Sequence, residues 1–227
     1  MESMELFPPE IEIIRKRVRR FTLRVSTRDE RIVCTVPWFA SKADTIEFIT
    51  RNRTWIEKQR AKIRALKSSH KQRLPGTIHF LGDLYTVLNV PNAQFAGIIN
   101  HEDKVILSSL QSEDIEQRKK WYKDQALQFI PPLVQEYALK HNFTFGKIAI
   151  KHQQSKWGSC TVDGNLNFNA KMMLIPMHVI QYLIIHELSH TKHFHHGASF
   201  WELVEECYPE YLKAEEYLRT EGKILEI

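Results

Sequence analysis

Residues 182–196 read Tyr-Leu-Ile-Ile-His-Glu-Leu-Ser-His-Thr-Lys-His-Phe-His-His, and His186, Glu187 and His190 within them form an H-E-x-x-H motif. On a helix of 3.6 residues per turn, positions i and i+4 lie one above the other, so both imidazoles can reach one cation. Glu187 follows the first ligand and can approach a metal-bound water as general base, which is the chemistry this spacing serves in zinc hydrolases. Three features of the context separate the motif from a chance match. The apolar residues ahead of it (Val179, Ile180, Leu183, Ile184, Ile185) suit a buried helix. Pro176 suits that helix's first turn, where a missing N–H costs nothing. A third candidate ligand follows closely.

A catalytic zinc site takes three protein ligands and leaves one position open. His196 stands six residues past His190, giving H-E-x-x-H-x5-H, the outer spacing of the metzincins. The midway residue is His193 where metzincins have Gly, and no Met follows Met177, so an ordinary metzincin is excluded. A carboxylate from the next helix (Glu202, Glu205 or Glu206) is the alternative third ligand. His196 ranks first, because three imidazoles form a known catalytic set. Zinc is the expected cation, with other divalent metals open.

Upstream, Trp157-Gly158-Ser159-Cys160 reads as a strand beside the metal. Its edge could receive an extended peptide, with Gly158 permitting close approach; a buried Trp and a bulge that stiffen the sheet are the plainer reading. Asn165, Asn167 and Asn169 alternate and share one face, which suits a hairpin with one functional Asn. Trp157, Gly158, Ser159 and Asn169 are the candidate substrate-binding residues.

Lys156-Trp157-Gly158-Ser159-Cys160, Gly164-Asn165-Leu166-Asn167-Phe168-Asn169, Pro176 with Val179-Ile180, the H-E-x-x-H, His196-Gly197, Phe200-Trp201 and Pro209 follow one another in order. This series resembles the YgjP-like metal-dependent hydrolases, relatives of the SprT-like and WLM zinc peptidases. The resemblance runs over nearly the whole chain, through specific motifs in the C-terminal half and through pattern alone in the N-terminal half. It implies His186, His190 and His196 as metal ligands and Glu187 as general base. His195 stands where the family has Asn, and Thr191 where it has an apolar residue; both departures fall beside the ligands.

Along the rest of the chain, Phe21, Leu23 and Val25 alternate with polar residues as a half-buried strand, Asp29-Glu30 turn the chain, and Ile32–Val36 return. Ser41 with Asp44 resembles a capping box for a helix reaching about Leu66. Pro75-Gly76 breaks the chain, and short strands are expected over 78–80, 85–90, 95–99 and 105–107. A long helix is expected from Ile115 to His141, adjusted at Pro131-Pro132. Strands at 147–152 and 166–169, the motif helix and one or two closing helices complete an α+β protein. Its expected organisation is a β-rich N-terminal region with one long basic helix (1–110) and a zincin-like helical catalytic domain with a small sheet (111–227). Phe200 and Trp201 are expected to pack the last helices under the metal helix.

The 227 residues are 43% hydrophobic, which suits a packed core, and carry no 18-residue apolar run. Three widely spaced cysteines and a start lacking an apolar signal core fit reduced thiols in the cytoplasm. The net charge of +5 is uneven: residues 1–110 hold 19 Lys and Arg against 12 Asp and Glu, residues 111–227 hold 13 against 15. The basic half, dominated by Arg15–Arg20 and by Arg51 to Arg73, could attract a nucleotide or nucleic acid, although a solvated helix face is the plainer account. The expected function is therefore a zinc-dependent metallopeptidase acting on peptide or protein. A metal-dependent nucleotide phosphohydrolase, or a nucleic-acid-binding module with a structural metal, is the alternative.

Overall fold

A computed structural model describes residues 11–27, 29–69, 74–225 and 227. The chain start and Arg73, the end of the basic run, lie outside the described residues. The chain divides into two compact units, residues 1–70 and 71–227.

The first unit is a three-stranded sheet with two helices. Strands β1 (Ile11–Lys16), β2 (Thr22–Val25) and β3 (Ile32–Pro37) lie in the order β1-β3-β2, with β1 parallel and β2 antiparallel to β3. Along β3, Ile32, Cys34 and Val36 are buried while Val33 and Thr35 are not, the two-residue period of a sheet with one covered face. Strand β1 was not expected: its isoleucines adjoin Arg15-Lys16-Arg17, and the charge run masks the alternation. Helix α1 (Lys42–Arg51) opens on Ser41, whose Oγ accepts from the Asp44 N–H while the Asp44 carboxylate accepts from the Ser41 N–H. That reciprocal pair is the capping box read from the sequence. The expected single helix is two, because the chain breaks at Asn52, whose side-chain amide donates to the Phe48 carbonyl, and resumes as α2 (Arg53–Ser69).

The second unit begins with four strands, β4 (Thr77–Phe80), β5 (Asp83–Asn89), β6 (Ile98–Asn100) and β7 (Val105–Ser108), ordered β4-β5-β7-β6. Helix α3 (Ile115–Lys140) starts at Asp114, whose carboxylate accepts from the Glu116 and Gln117 N–H groups. It runs unbroken through Pro131 and Pro132, with Trp121, Tyr122, Gln125, Ala126, Ile130, Val134 and Ala138 buried along one stripe. A second small sheet, β8 (Ile148–Lys151), β9 (Gly158–Cys160) and β10 (Leu166–Asn169), has the order β8-β10-β9, which leaves β9 at an edge. A 3-10 turn over Ala170–Leu174 leads into α4 (Met177–Ser189), followed by α5 (Ala198–Cys207) and α6 (Tyr211–Arg219). Ile78, Phe80, Tyr85 and Ile106 share one core with α3, the β8–β10 sheet and α4. Residues 77–108 therefore group with the helices of the second unit, whereas the sequence reading places its division at 110.

Candidate metal centre

Helix α4 is apolar on nearly every side, as befits a helix buried all round. Val179, Ile180, Tyr182, Leu183, Ile184, Ile185, Glu187, Leu188 and Ser189 are all buried. The motif therefore stands on one of the most enclosed elements of the unit. The helix ends at His190, whose backbone N–H still bonds to the His186 carbonyl. Thr191 and Ser189 return their hydroxyls to the Leu188 and Ile185 carbonyls, and the His193 N–H bonds to the Ser189 carbonyl. These bonds hold one further turn, after which the chain swings back into α5. The reversal that metzincins assign to a midway Gly is thus made here without one.

That reversal brings His196 to the helix pair. One ring nitrogen each from His186, His190 and His196 lies within 4.8 Å of the others. Nε2 of His196 stands 3.1 Å from Nε2 of His186. Two nitrogens bound about 2.0–2.1 Å from one tetrahedral cation would be roughly 3.3 Å apart. Among the described residues this is the cluster of His, Cys and carboxylate donors that could hold a metal. Glu202, Glu205 and Glu206 are exposed and do not belong to it, nor does Cys160. Phe200 is fully buried beneath all three rings, its centroid 5.0, 4.6 and 4.7 Å from those of His186, His190 and His196. Trp201 stacks on His196 and Tyr211 stacks on Trp201, so Phe200 and Trp201 pack α5 and α6 beside the three rings.

The two helix-borne imidazoles, His186 and His190, favour the neutral form, which leaves each ring a lone pair. Burial, reinforced by the other two histidines, lowers His186 from its ordinary value to about 3. Burial also lowers His190. Nδ1 of His190 is 3.0 Å from the His193 carbonyl and donates to it, since a carbonyl can only accept; Nε2 is then left as the acceptor. Behind His186, the Tyr182 hydroxyl lies 3.1 Å from Nδ1 and donates to Glu215 Oε1 at 3.1 Å. Three imidazole nitrogens gathered this closely fit a divalent cation, zinc among them.

Glu187 is 5% exposed, and its Oε2 has no hydrogen-bond partner among the described residues. Burial pushes its carboxyl up from 4.5 to about 8, against the opposing pull of the Lys156 ammonium. A buried, unpartnered carboxyl is costly in a purely structural role. Its close neighbour is Gly158: a Cβ there would sit 2.5 Å from Glu187 Oε1 and 2.7 Å from its Cγ. The close approach for which Gly158 was singled out is thus to Glu187. Ser159 is half-buried on β9, its hydroxyl 3.4 Å from the Asn167 amide. Trp157 is half-buried against the core beside Gly222. Asn169 is buried and its amide is fully used, donating to the Gln153 and Lys156 carbonyls and accepting from the Lys171 N–H. It ties down the loop that carries Lys156 and Trp157. Near the site, the Tyr208 hydroxyl donates to the His178 carbonyl. Sequence reading missed Tyr182 and Lys156. Tyr182 lies one turn before His186, a spacing that could have drawn attention to it; nothing in the sequence links Lys156 to Glu187.

A metallopeptidase domain is the class to which these features correspond. The chain belongs to the YgjP-like family, described as YgjP-like, metallopeptidase domain, which matches residues 19–221. Two solved structures are similar to part of the chain. The metallopeptidase zymogen of Pyrococcus abyssi abylysin is 19% identical with a TM-score of 0.39, over 44% of this chain and 100% of that one. The metallopeptidase zymogen of Methanocaldococcus jannaschii jannalysin is 24% identical with a TM-score of 0.37, over 42% of this chain and 97% of that one. No curated protein matches the chain.

Proposed function

We propose that this member of the metallopeptidase family is a zinc-dependent peptidase with His186, His190 and His196 as ligands and Glu187 as general base. The observation that carries this reading is the convergence of three imidazole donors beside a buried carboxyl whose Oε2 has no hydrogen-bond partner among the described residues. A divalent cation held there supplies Lewis acidity toward water and the scissile carbonyl. Glu187 takes a proton from the attacking water at its carboxylate and delivers it to the leaving amine nitrogen. That role needs the ionised form, which any nearby positive charge favours; Lys156 already acts in this sense. Gly158 leaves the space in which the carboxyl can swing between the two proton positions.

Among the described residues strand β9 pairs with β10 on one side only, and it adjoins α4. An extended peptide can add to its other edge, with backbone hydrogen bonds setting register. In this reading Gly158 and Ser159 lie under the substrate, Trp157 buttresses the strand, and Asn169 positions the loop before it. No helix among the described residues is long and apolar enough to cross a membrane. The three free thiols suit a reducing compartment, and the cytoplasm is the proposed location.

The test is cleavage of a peptide library beside a panel of nucleoside triphosphates, with and without chelator and metal re-addition. Metal-dependent peptide cleavage supports the reading. Metal-dependent triphosphate hydrolysis with intact peptides would replace it by phosphohydrolase chemistry.

A further inference from the structure

We propose that Tyr182 and Glu215 form a positioning relay that holds His186 in the tautomer presenting Nε2 to the metal, making helix α6 part of the metal centre. The proposal rests on the reading of His186 as a ligand.

Tyr182 stands one turn before His186 on α4 and is 2% exposed. Its oxygen lies between two partners, 3.1 Å from His186 Nδ1 and 3.1 Å from Glu215 Oε1, 33 residues further along the chain. A phenol has one proton, and here it is donated to Glu215 Oε1. The phenol oxygen is therefore left to accept. What it accepts is the proton on His186 Nδ1. Protonation at Nδ1 leaves the lone pair on Nε2, the atom 3.1 Å from Nε2 of His196. His190 reaches the same tautomer by a local device, the His193 backbone carbonyl. The two helix-borne ligands are thus aligned differently, one by its own chain end and one by a side chain from another helix. An outer partner that fixes the tautomer and ring orientation of a ligating histidine is worth about 10–100-fold in metal affinity or activity. Here the carboxylate acts one residue removed. It stays half-buried on α6, and the buried phenol carries its influence inward.

Two readouts test the relay. One is zinc affinity by competition with a chromogenic chelator. The other is the His186 tautomer in the metal-free chain, by long-range 1H–15N NMR. Tyr182→Phe is expected to lower zinc affinity about 10–100-fold and to convert His186 from the Nδ1–H form to a mixture. Glu215→Ala is expected to move both readouts the same way by less. Glu215→Gln, whose amide oxygen still accepts the phenol proton, should recover most of that loss. The double variant Tyr182→Phe/Glu215→Ala should be no weaker than Tyr182→Phe alone, because both changes cut one chain. Additive losses, or an unchanged tautomer and affinity in Tyr182→Phe, overturn the relay. Glu215→Ala keeps the test open if Tyr182→Phe does not fold. If the wild-type chain binds no zinc, the ligand reading falls, and the relay is judged on the tautomer: Nδ1–H lost in the variants upholds it, Nδ1–H retained overturns it.

Discussion

His186 and His190 stand on a helix buried on nearly every face, whereas His196 sits on the exposed segment between α4 and α5. The helix pair is fixed before any metal arrives: the backbone sets their spacing, and each Nδ1 has a hydrogen-bond partner. His196 is held by the turn at 190–193, by an edge-to-face contact with Phe200 and by stacking on Trp201. The contrast is between a buried half and an exposed half of the candidate centre. The buried half is preorganised by its helix and hydrogen bonds, and the exposed half is where solvent and substrate would enter.

The largest expected effect lies in the buried half. His190→Ala should abolish stoichiometric metal binding and peptidase activity together, as metal analysis and a cleavage assay would show. Retention of one tightly held metal per chain would place the ligand set elsewhere. Gly158→Ala comes next. The added Cβ would stand 2.5 Å from Glu187 Oε1, so the carboxyl must move. Activity should fall by about 10²-fold or more, the cost of displacing a general base, while metal content stays at the wild-type level. Equal activity in the variant would mean that Glu187 has no fixed working position.

His196→Gly should weaken metal binding but leave a two-histidine site that external imidazole can complete, because the position is open to solvent. His186→Gly should not be rescued, since its ring is packed between Tyr182 and Phe200 and is less open to solvent than His196. Rescue of both, or of neither, would erase the distinction between the halves. The smallest effect is in the pH dependence of the metal-free protein. Between 4.5 and about 8 the folded Glu187 is protonated while the unfolded chain is ionised. The folded state binds more protons there, so stability falls as pH rises through the window. His186, lowered to about 3, contributes the opposite slope only below its ordinary 6.5. The region from 6.5 to 8 therefore isolates Glu187 from His186, and Glu187→Gln should flatten Tm against pH there.

The same contrast decides what could be read from the sequence. His186, Glu187 and His190 are legible because helical periodicity alone places them together. The capping box at Ser41 and the β2–β3 hairpin are legible for the same reason, being local. His196 was reached through motif spacing and a choice among donors. The facing of Gly158 and Glu187 and the Tyr182–Glu215 contact are not legible, since each joins elements whose approach is set by packing. Strand β1 was hidden by its neighbouring arginines and lysine, and its parallel pairing with β3 skips a strand in between. Charge follows the compact units closely: residues 1–70 hold 16 Lys and Arg against 9 Asp and Glu, residues 71–227 hold 16 against 18.

A single comparison bears hardest on the proposed chemistry: peptide cleavage by wild type and Glu187→Gln, each with its metal content measured on the same sample. The expected result is one metal per chain in both and cleavage reduced about 10²–10⁴-fold in the variant, the usual worth of a positioned general base. Full cleavage by a metal-loaded Gln variant would contradict it.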